Sequence, residues 1–511
     1  MHKMQFLGIS LSIIFYFFLS AVLCTEEDDD MLPRIGIIGA GIGGTSSAYF
    51  LRQLFGEKAT IDIFEAEKVG GRTAVIKING LNYEAGGSVI HTKNKYMVKF
   101  AEKFNKSALT HSDSFLGLYD NKGIVFETSK WAPIALAKLI WRYGFDLYTI
   151  REWTKNLVAS KFDRIYEFQD KGMAFTTVDD MLRAMSEDFL NMTQHSLRDV
   201  LREVGVSQRF VDELAMAAMR ANYGQTVDVH GFVGAVSLLG AEPGLWSVVN
   251  GNKEISEDLL KESKASFIEA KVLSVALMKD ERGTGNIAYE VEYEETHPDK
   301  KDKTNSKEYD IVIVAAPLEG SKSKISFVDF TNPLPSISQK YHTTIAMFVQ
   351  GCINKTTFNV NSQGDFPPDM LTVSPDVFFN SVGLLSSVNP EKQPDVAPEA
   401  DQAVWKTFLN KVPSEEQISI LFESRQDLRF VEWLAYPEYS PNMKLPPFQL
   451  YDRLYYINAV ESAASAMEMS VIGSRNVALL AFNQWFNHFD KIDEIHLPVP
   501  ASKTEKDNSE L

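Results

Sequence analysis

The feature that most constrains this chain is a glycine-rich turn between two apolar stretches near its start. Residues 34–40, RIGIIGA, are typical of a parallel strand that is buried on both faces. They lead into GAGIGG at 39–44 and then into apolar residues at helical spacing over 45–55, and residues 60–66, TIDIFEA, predict a second strand. This succession within about 30 residues predicts a doubly wound α/β fold that binds a dinucleotide.

Each position of the turn has a mechanical reason. Gly39 allows the tight turn, Gly41 lets the backbone approach a pyrophosphate, and Gly44 lets the helix pack closely on the strand. Gly43 completes the loop, and the helix N-terminus directs its free N–H groups at the pyrophosphate. Glu65 ends the second strand, where an acid accepts hydrogen bonds from the ribose hydroxyls of an adenosine. We therefore assign all five residues to cofactor binding.

The segment after the second strand favours FAD over a nicotinamide dinucleotide. Residues 67–73 read EKVGGRT. This segment resembles the one that follows the ribose-binding acid in glutathione-reductase-like flavoproteins of the amine oxidase and protoporphyrinogen oxidase type, which assigns Gly70 and Gly71 to the cofactor. Arg72 offers a planar fork of donors for pyrophosphate oxygens. The alternative for Arg72 is a surface charge in a turn.

A second pair of glycines is predicted to lie against the flavin ring. Residues 83–91 read YEAGGSVIH, and two adjacent glycines permit close approach of the backbone to a flat ring. In the resembling flavoproteins the equivalent loop contacts the isoalloxazine, which places Gly86, Gly87 and Ser88 at the flavin. His91 is the candidate catalytic residue, although a lone histidine more often has a structural role.

Two later segments complete the predicted cofactor site. Residues 267–274, FIEAKVLS, match the second part of such an FAD domain, in which the backbone of Val272 meets the adenine. Residues 453–470, RLYYINAVESAASAMEMS, predict a strand and then a helix whose start carries small side chains, which suits the ribitol phosphate or pyrimidine end of a flavin. The residues assigned to the flavin there are Glu461, which reaches a ribitol hydroxyl, Ala464 and Met467.

The N-terminus predicts a protein of the secretory pathway. A basic start, an apolar run over residues 6–23 and an acidic stretch after it are typical of a signal peptide, which we place at residues 1–24. The alternative is a signal anchor, because a run of about 18 apolar residues can just span a bilayer. Three sequons predict N-glycosylation, at Asn105, Asn191 and Asn354. These features together predict a location in the lysosome or outside the cell.

Charge and cysteine content exclude several functions. The chain has 51 Lys and Arg against 68 Asp and Glu, a net charge of −17, so it repels phosphate backbones and is not expected to bind nucleic acid. Only Cys24 and Cys352 are present, which excludes a disulfide framework and a cysteine metal cluster. Neither cysteine lies in a predicted flavin segment, so FAD is expected to bind noncovalently. No metal site and no HExxH or Ser/His/Asp motif is predicted.

The quoted segments, together with LWSVVNGNK at 245–253 and VIVAAPL at 312–318, resemble the prenylcysteine oxidase family over residues 33–490. The resemblance implies an FAD thioether oxidase for farnesylcysteine and geranylgeranylcysteine, which uses O₂ and releases cysteine, a prenyl aldehyde and hydrogen peroxide during degradation of prenylated proteins. The family includes a "like" subgroup whose activity is less defined. The alternatives are an amine oxidase-like flavoenzyme and a non-catalytic secreted FAD-binding protein associated with lipoproteins.

The cofactor segments are separated along the chain, which predicts a discontinuous FAD-binding Rossmann domain with an inserted α+β substrate domain. The FAD domain is expected to comprise residues 33–92, 240–325 and 450–492, the substrate domain 93–239 and 326–449, and a polar tail 493–511.

An aromatic stripe lies outside the FAD segments. Residues 131–150 predict one helix that carries Trp131, Trp141, Phe145 and Tyr148. Three interpretations are open for it: ordinary core, the lining of a prenyl channel, and contact with a lipid or lipoprotein surface.

Overall fold

The computed structural model describes residues 32–497, apart from 111–114, 241–243, 279–286, 297–302, 320–322, 338, 362–364, 390 and 392–399. The predicted signal peptide and most of the polar tail lie outside the described residues. The strands, numbered in chain order, are β1 Arg34–Ile38, β2 Thr60–Glu65, β3 Val75–Ile78, β4 Leu81–Glu84, β5 Ile90–His91, β6 Ala108–Thr110, β7 Leu116–Tyr119, β8 Ile124–Glu127, β9 Leu245–Val248, β10 Ser266–Leu277, β11 Tyr289–Glu295, β12 Thr304–Tyr309, β13 Ile311–Val314, β14 Ser326–Val328, β15 Tyr341–Ile353, β16 Asp369–Thr372, β17 Phe379–Leu384, β18 Val404–Leu409, β19 Phe422–Pro437, β20 Gln449–Tyr451 and β21 Leu454–Tyr456.

The helices of the described residues fall into three kinds. The α-helices are Ile42–Phe55, Lys95–Lys103, Ala132–Tyr143, Asp146–Trp153, Ser160–Phe162, Arg164–Asp170, Val178–Met185, Glu187–Met192, Leu197–Val204, Gln208–Phe210, Met216–Tyr223, Gly231–Leu239, Lys253–Ser263, Glu415–Leu421 and Met467–Trp485. The π-helical turns are Thr154–Ala159 and Val211–Ala215, and the 3₁₀ helices are Lys355–Phe358, Ala400–Gln402, Ile457–Ser462 and Phe489–Lys491. None of the helices in this part of the chain is both long enough and apolar enough to cross a bilayer.

A nine-stranded sheet within the described residues holds the predicted dinucleotide-binding unit. Its order is β12-β11-β10-β2-β1-β13-β21-β20, with β14 beside β10. The central strands β10, β2, β1, β13 and β21 run parallel to one another. β1 and β13 are buried along nearly their whole length, because their unbroken apolar sequence is covered on both faces. This is the doubly wound arrangement that the glycine-rich turn predicts.

The last long helix brings the end of the chain to the glycine-rich turn. Met467–Trp485 packs beside Ile42–Phe55, where the rings of Phe55 and Phe482 lie 5.3 Å apart in edge-to-face contact. At the other end of the pair, Ser474 Oγ donates a hydrogen bond to Gly43 O at 2.7 Å. The segment before this helix is thereby held at the start of the first helix, although more than 400 residues separate them in sequence.

A second sheet faces the first. Among the described residues it has seven strands in the order β19-β15-β18-β17-β16-β7-β8, and the long strands β15 and β19 pair antiparallel along most of their length. Side chains from β15, β18 and β19 form one wall of a cleft whose other wall is the carboxyl edge of the nine-stranded sheet. The second sheet therefore covers the place where a doubly wound fold binds its ligand.

The strands follow the predicted segments closely. The nine-stranded sheet takes its strands from the three segments assigned to the FAD domain, except that β14 begins one residue beyond the boundary at 325 and β20 one residue before 450. All strands of the seven-stranded sheet fall in the segments assigned to the substrate domain. The division into domains itself stays a prediction.

The aromatic stripe differs from its prediction in one respect. It lies on two helices, Ala132–Tyr143 and Asp146–Trp153, rather than on one. The break is at Gly144, whose φ of +60° ends the first helix in a left-handed conformation that side chains rarely adopt.

Candidate cofactor cleft and active site

A cleft of about 500 Å³ lies between the two sheets and gathers most of the predicted cofactor residues. The first wall is built from the ends of β1, β2, β13 and β21 and from the segments that follow them. The sequence-predicted residues that line the cleft are Gly39, Gly41, Gly43, Glu65, Gly70, Gly71, Arg72, Gly86, Gly87, Glu461 and Met467. Segments far apart in sequence thus meet at one site, as the predicted FAD domain requires.

The part of the cleft that is predicted to bind phosphate is a tight loop held by backbone hydrogen bonds. The N–H of Gly39 donates to Phe64 O at 2.8 Å, and the N–H of Gly70 donates to Ala40 O at 2.9 Å. Gly41 and Gly70 also form an isolated parallel bridge. The two glycine-containing segments therefore lie side by side and present bare backbone to the cleft, which is the surface that a pyrophosphate needs.

Glu65 is held in place by the same loop. Its Oε2 accepts a hydrogen bond from the N–H of Ala40 at 2.7 Å, and its Oε1 accepts one from the N–H of Glu67 at 2.9 Å. Each carboxylate oxygen has a further lone pair, so the group can still accept hydrogen bonds from ribose hydroxyls. The arrangement fits the adenosine end of FAD.

Arg72 and Glu461, predicted to contact different parts of the cofactor, bond to each other. The guanidinium of Arg72 forms a two-point ion pair with the buried Glu461 carboxylate and donates to Ala435 O at 2.5 Å. Tyr341 Oη and Asn458 Nδ2 also donate to Glu461, at 2.9 and 2.8 Å. Burial by itself lowers the pKa of Arg72, but the charge and the hydrogen bonds of Glu461, with smaller contributions from Tyr341 and Tyr456, together raise that pKa above its usual value. Their contacts to FAD stay predictions.

The predicted flavin loop is supported from behind. A Cβ at Gly86 would lie 1.9 Å from Arg72 O, so only glycine fits there, and the N–H of Gly87 donates to that same oxygen at 2.9 Å. Asn252 Nδ2 donates to Gly87 O at 2.9 Å, and the Asn252 N–H donates to Glu84 Oε1 at 2.7 Å. Burial raises the pKa of Glu84 to about 7, against the opposing effect of the Asn252 N–H. The supporting role of Asn252 was not predicted from the sequence, although this residue lies in the segment LWSVVNGNK.

Several predicted residues lie beside the cleft rather than in its lining. Gly44 instead fills the packing role foreseen for it, since a Cβ there would lie 1.8 Å from Gly39 O. The others are Ser88, which follows Gly87, Ala464, which is buried one residue before the lining residue Ser465, and Val272, which lies in β10. The cofactor roles of these three stay predictions.

His91 also lies outside the cleft lining. It is buried in the short strand β5, its N–H donates to Asn94 Oδ1 at 2.7 Å, and its Nδ1 accepts from the N–H of Lys93 at 3.0 Å. These contacts shape the turn that starts the following helix, which favours the structural alternative. A catalytic role for His91 stays a prediction.

The opposite wall of the cleft carries residues that no motif marks. Apolar and aromatic side chains from β18 and β19 and polar groups from the helix Met216–Tyr223 and from β15 and β17 line it: Arg220, Asn222, Thr344, Asn380, Phe408, Trp433 and Tyr436. They come from strands and a helix scattered over more than 200 residues, so only the fold brings them together. An apolar wall with a polar corner, set against a flavin-binding edge, suits an amphiphilic substrate.

Comparison with known proteins decides the family. Residues 126–494 match the family described as prenylcysteine lyase, and residues 37–104 match an NAD(P)-binding Rossmann-like domain. The chain belongs to the prenylcysteine lyase family. It is 41% identical to prenylcysteine oxidase 1 of Bos taurus over 90% of each chain, and 37% identical to prenylcysteine oxidase 1-like of Mus musculus over 95% of this chain and 98% of the relative. The resemblance read from the sequence is confirmed.

Solved structures with the same fold include oxidases of amines. A putrescine oxidase variant is 12% identical, with a TM-score of 0.55 over 88% of this chain and 99% of that one. Cyclohexylamine oxidase from Brevibacterium oxydans is also 12% identical, with a TM-score of 0.54 over the same shares of the two chains. At this identity the likeness confirms the predicted fold class. Fold and family together support FAD as the dinucleotide of the cleft.

Proposed function

We propose that this chain is an FAD-dependent thioether oxidase that degrades farnesylcysteine and geranylgeranylcysteine. The observation that carries the proposal is the apolar wall of Phe408 and Trp433, which faces the predicted flavin segments at Gly87 and Met467 across one cleft. In this proposal the prenyl chain packs on that wall, and the carbon between its alkene and the sulfur lies next to the flavin. The relatives named prenylcysteine oxidase 1 support the same substrate class.

The reaction needs orientation more than acid–base catalysis. Bound FAD would accept a hydride from the carbon between sulfur and the alkene and would pass two electrons to O₂. Water adds to the resulting carbon, and the hemithioacetal breaks its C–S bond to give cysteine and the prenyl aldehyde. One thioether, one O₂ and one water thus become cysteine, aldehyde and H₂O₂. The aromatic wall binds the chain and holds the reacting carbon in place, which are the contributions that such a step requires.

Purified protein loaded with FAD should release hydrogen peroxide and prenyl aldehyde when given farnesylcysteine. A saturated S-alkyl cysteine of equal length should release little or none, because its carbon cation lacks the allylic delocalisation that favours hydride loss. The measurement is a coupled peroxide assay with aldehyde detection by mass spectrometry. Putrescine and cyclohexylamine are the comparison substrates for the amine oxidase alternative. Turnover of these amines without turnover of farnesylcysteine would reject the proposal, and flavin-loaded protein inactive with every substrate would favour the non-catalytic alternative.

We infer a location in the lysosome or outside the cell. Asn105 and Asn191 are exposed and Asn354 is half-buried. Asn354 Oδ1 accepts hydrogen bonds from the N–H and the hydroxyl of Thr356, at 3.2 and 2.6 Å, as in an Asx turn. Exposure on the surface is what a glycosylated sequon requires, so Asn105 and Asn191 support the secretory prediction more strongly than Asn354 does.

We also propose that the aromatic stripe docks on a lipid surface. The aromatic patch consists of Trp131, Ile134, Leu136, Ile140, Trp141, Phe145 and Tyr148, all exposed to solvent. Trp141 is 89% exposed and Phe145 is 83% exposed, which excludes the core interpretation for them. None of the seven lines the cofactor cleft, so the prenyl-channel interpretation is not supported either. An exposed apolar surface of this kind marks an interaction site.

Charge and aromatic content favour lipid as the partner. Three basic residues beside the patch are paired with acids: Lys130 with Asp365, Lys138 with Glu127 and Arg142 with Glu213. The patch is thus close to neutral on a strongly acidic protein, and tryptophan and tyrosine are the side chains that favour the headgroup region of a bilayer. A groove of about 800 Å³ beside Trp141, lined in part by Phe126 and Val360, adds apolar surface next to the patch.

Substituting Trp141 and Phe145 with glutamate should remove most binding to phospholipid vesicles. Two aromatic side chains at an interface contribute several kcal/mol of burial, so we expect a loss of ~10-fold or more in vesicle partitioning. The measurement is co-sedimentation with phosphatidylcholine vesicles, with and without anionic lipid. Phe489→Glu is the matched control, since Phe489 is 60% exposed and lies outside the patch. Equal sedimentation of the double variant and wild type would contradict the proposal.

A further inference from the structure

Arg220 is a buried cation in the cleft whose charge has no counter-ion among the described residues. Its side chain is 3% exposed. Nε donates to Thr372 Oγ1 at 2.6 Å, and Nη2 donates to Val377 O at 3.0 Å and Phe379 O at 2.8 Å. Nη1 makes no hydrogen bond within the described part of the chain, and burial lowers the pKa of Arg220 to about 10. The fold therefore fixes the guanidinium through Nε and Nη2 and leaves Nη1 available to a ligand.

Comparison with two other arginines, one buried and one lining the cleft, shows what is unusual here. Arg52 is also buried, but it donates to four backbone carbonyls and does not line the cleft. Arg72 lines the cleft and is neutralised by Glu461. Arg220 lines the cleft without a carboxylate partner. Burying a charge without a counter-ion is costly, so a retained one calls for an anion supplied from outside the chain.

The position of Arg220 places that anion beside the reacting centre. Arg220 lies one helical turn before Tyr223, at the end of the helix Met216–Tyr223. Tyr223 Oη donates to Ser465 O at 3.1 Å, next to the lining residues that precede Met467. Tyr223 also packs edge-to-face on Tyr436 of the apolar wall, with ring centroids 5.0 Å apart. The guanidinium is therefore in the polar corner between the apolar wall and the predicted flavin segment.

We propose that Arg220 binds the α-carboxylate of free prenylcysteine and thereby selects it over a prenylcysteine whose carboxyl group is amidated or absent. The inference rests on the proposed thioether oxidase function. In prenylcysteine the carboxylate is two carbons from the sulfur, while the prenyl chain extends in the other direction. A guanidinium fork matches a carboxylate in shape and charge. Where another residue follows the prenylcysteine, or its carboxyl group is amidated, a neutral amide takes the place of the carboxylate and the Arg220 charge stays without a counter-ion.

The test compares three thioethers that share the farnesyl group: farnesylcysteine, its carboxamide, and S-farnesylcysteamine, which lacks the carboxyl group. Wild-type holoenzyme should prefer farnesylcysteine by ~10- to 100-fold in kcat/KM, the range expected for a charge-assisted hydrogen bond in a buried site. In Arg220→Met this preference should fall to about one, through a higher KM for farnesylcysteine. Arg220→Lys should keep part of the preference, because it keeps the charge but not the fork.

The three-substrate comparison separates failure of this inference from failure of the proposed function. If wild type does not oxidise farnesylcysteine, the function itself is wrong. If it oxidises all three thioethers with equal kcat/KM, the function stands and the role of Arg220 is overturned, whether or not any variant folds. If Arg220→Met is folded and flavin-loaded but loses activity equally on all three, the guanidinium acts on the cofactor or on the fold and the inference is also overturned.

Discussion

Replacing Gly44 with alanine should destabilise the protein by about 3 kcal/mol or more and leave it without retained flavin. The added Cβ would lie 1.8 Å from Gly39 O, and both are backbone positions of the same tight turn. A side chain could rotate away from such a clash, but this carbonyl is fixed between β1 and the helix that follows. The strand and helix must separate to make room, and with them the phosphate-binding loop.

The neighbouring glycine provides the matched control for this prediction. A Cβ at Gly43 would lie 3.6 Å from Ile457 Cγ2 and 3.7 Å from Ser474 Oγ, which is ordinary van der Waals contact. Alanine is also the better helix former, so Gly43→Ala should keep the free energy of unfolding within about 1 kcal/mol of wild type. Denaturant unfolding and flavin absorbance after dialysis measure both variants. A Gly44→Ala protein as stable as Gly43→Ala would show that the turn is not as tight as described.

Breaking the Arg72–Glu461 pair is expected to have the other large effect. Arg72→Met leaves the buried Glu461 carboxylate without its counter-ion, and removing one partner of such a pair costs about 3–5 kcal/mol. The double variant Arg72→Met/Glu461→Gln should be more stable than the sum of the two single losses predicts, because no unpaired charge remains. Denaturant unfolding of the four proteins gives the coupling energy.

An exposed ion pair serves as the control for the buried one. Lys340 and Glu438 lie 2.7 Å apart, with side chains 76% and 42% exposed. Lys340→Met should cost less than about 1 kcal/mol, because water screens the charge that it leaves behind. If Lys340→Met and Arg72→Met lowered the free energy of unfolding by similar amounts, Glu461 would not be a buried carboxylate that needs its counter-ion.

The part of the fold that could be predicted from sequence is the part governed by local rules. The turn at 39–44 needs particular backbone geometry, and the residues before and after it carry strand and helix periodicity. A similar backbone requirement holds at Gly86, where the carbonyl of Arg72 leaves no space for a side chain. Such requirements act within one short stretch of the chain, so they can be read directly from the order of amino acids.

The rest of the site depends on contacts that no local pattern encodes. Arg72 and Glu461 are 389 positions apart, and each alone satisfies a plausible contact to FAD. Their attraction to each other becomes visible only when the last helix is packed on the first. Arg220 resembles any other arginine in sequence, and its lack of a counter-ion is a property of the surrounding fold. The aromatic stripe has the spacing of a core helix, and only the exposure of its side chains distinguishes it from one.

The distribution of the cofactor site along the chain has a consequence for how the protein is made. The first predicted cofactor residues follow β1, whereas Glu461 and Met467, also predicted to contact the cofactor, follow β21. At ~5–20 residues per second, a ribosome needs roughly 20–80 s to pass from Arg72 to Glu461. During that interval the nascent chain has a glycine-rich turn but no complete cleft. Flavin capture is therefore expected only after the chain has been synthesised past Met467, and a chain that stops before the helix Met467–Trp485 is expected to bind no flavin.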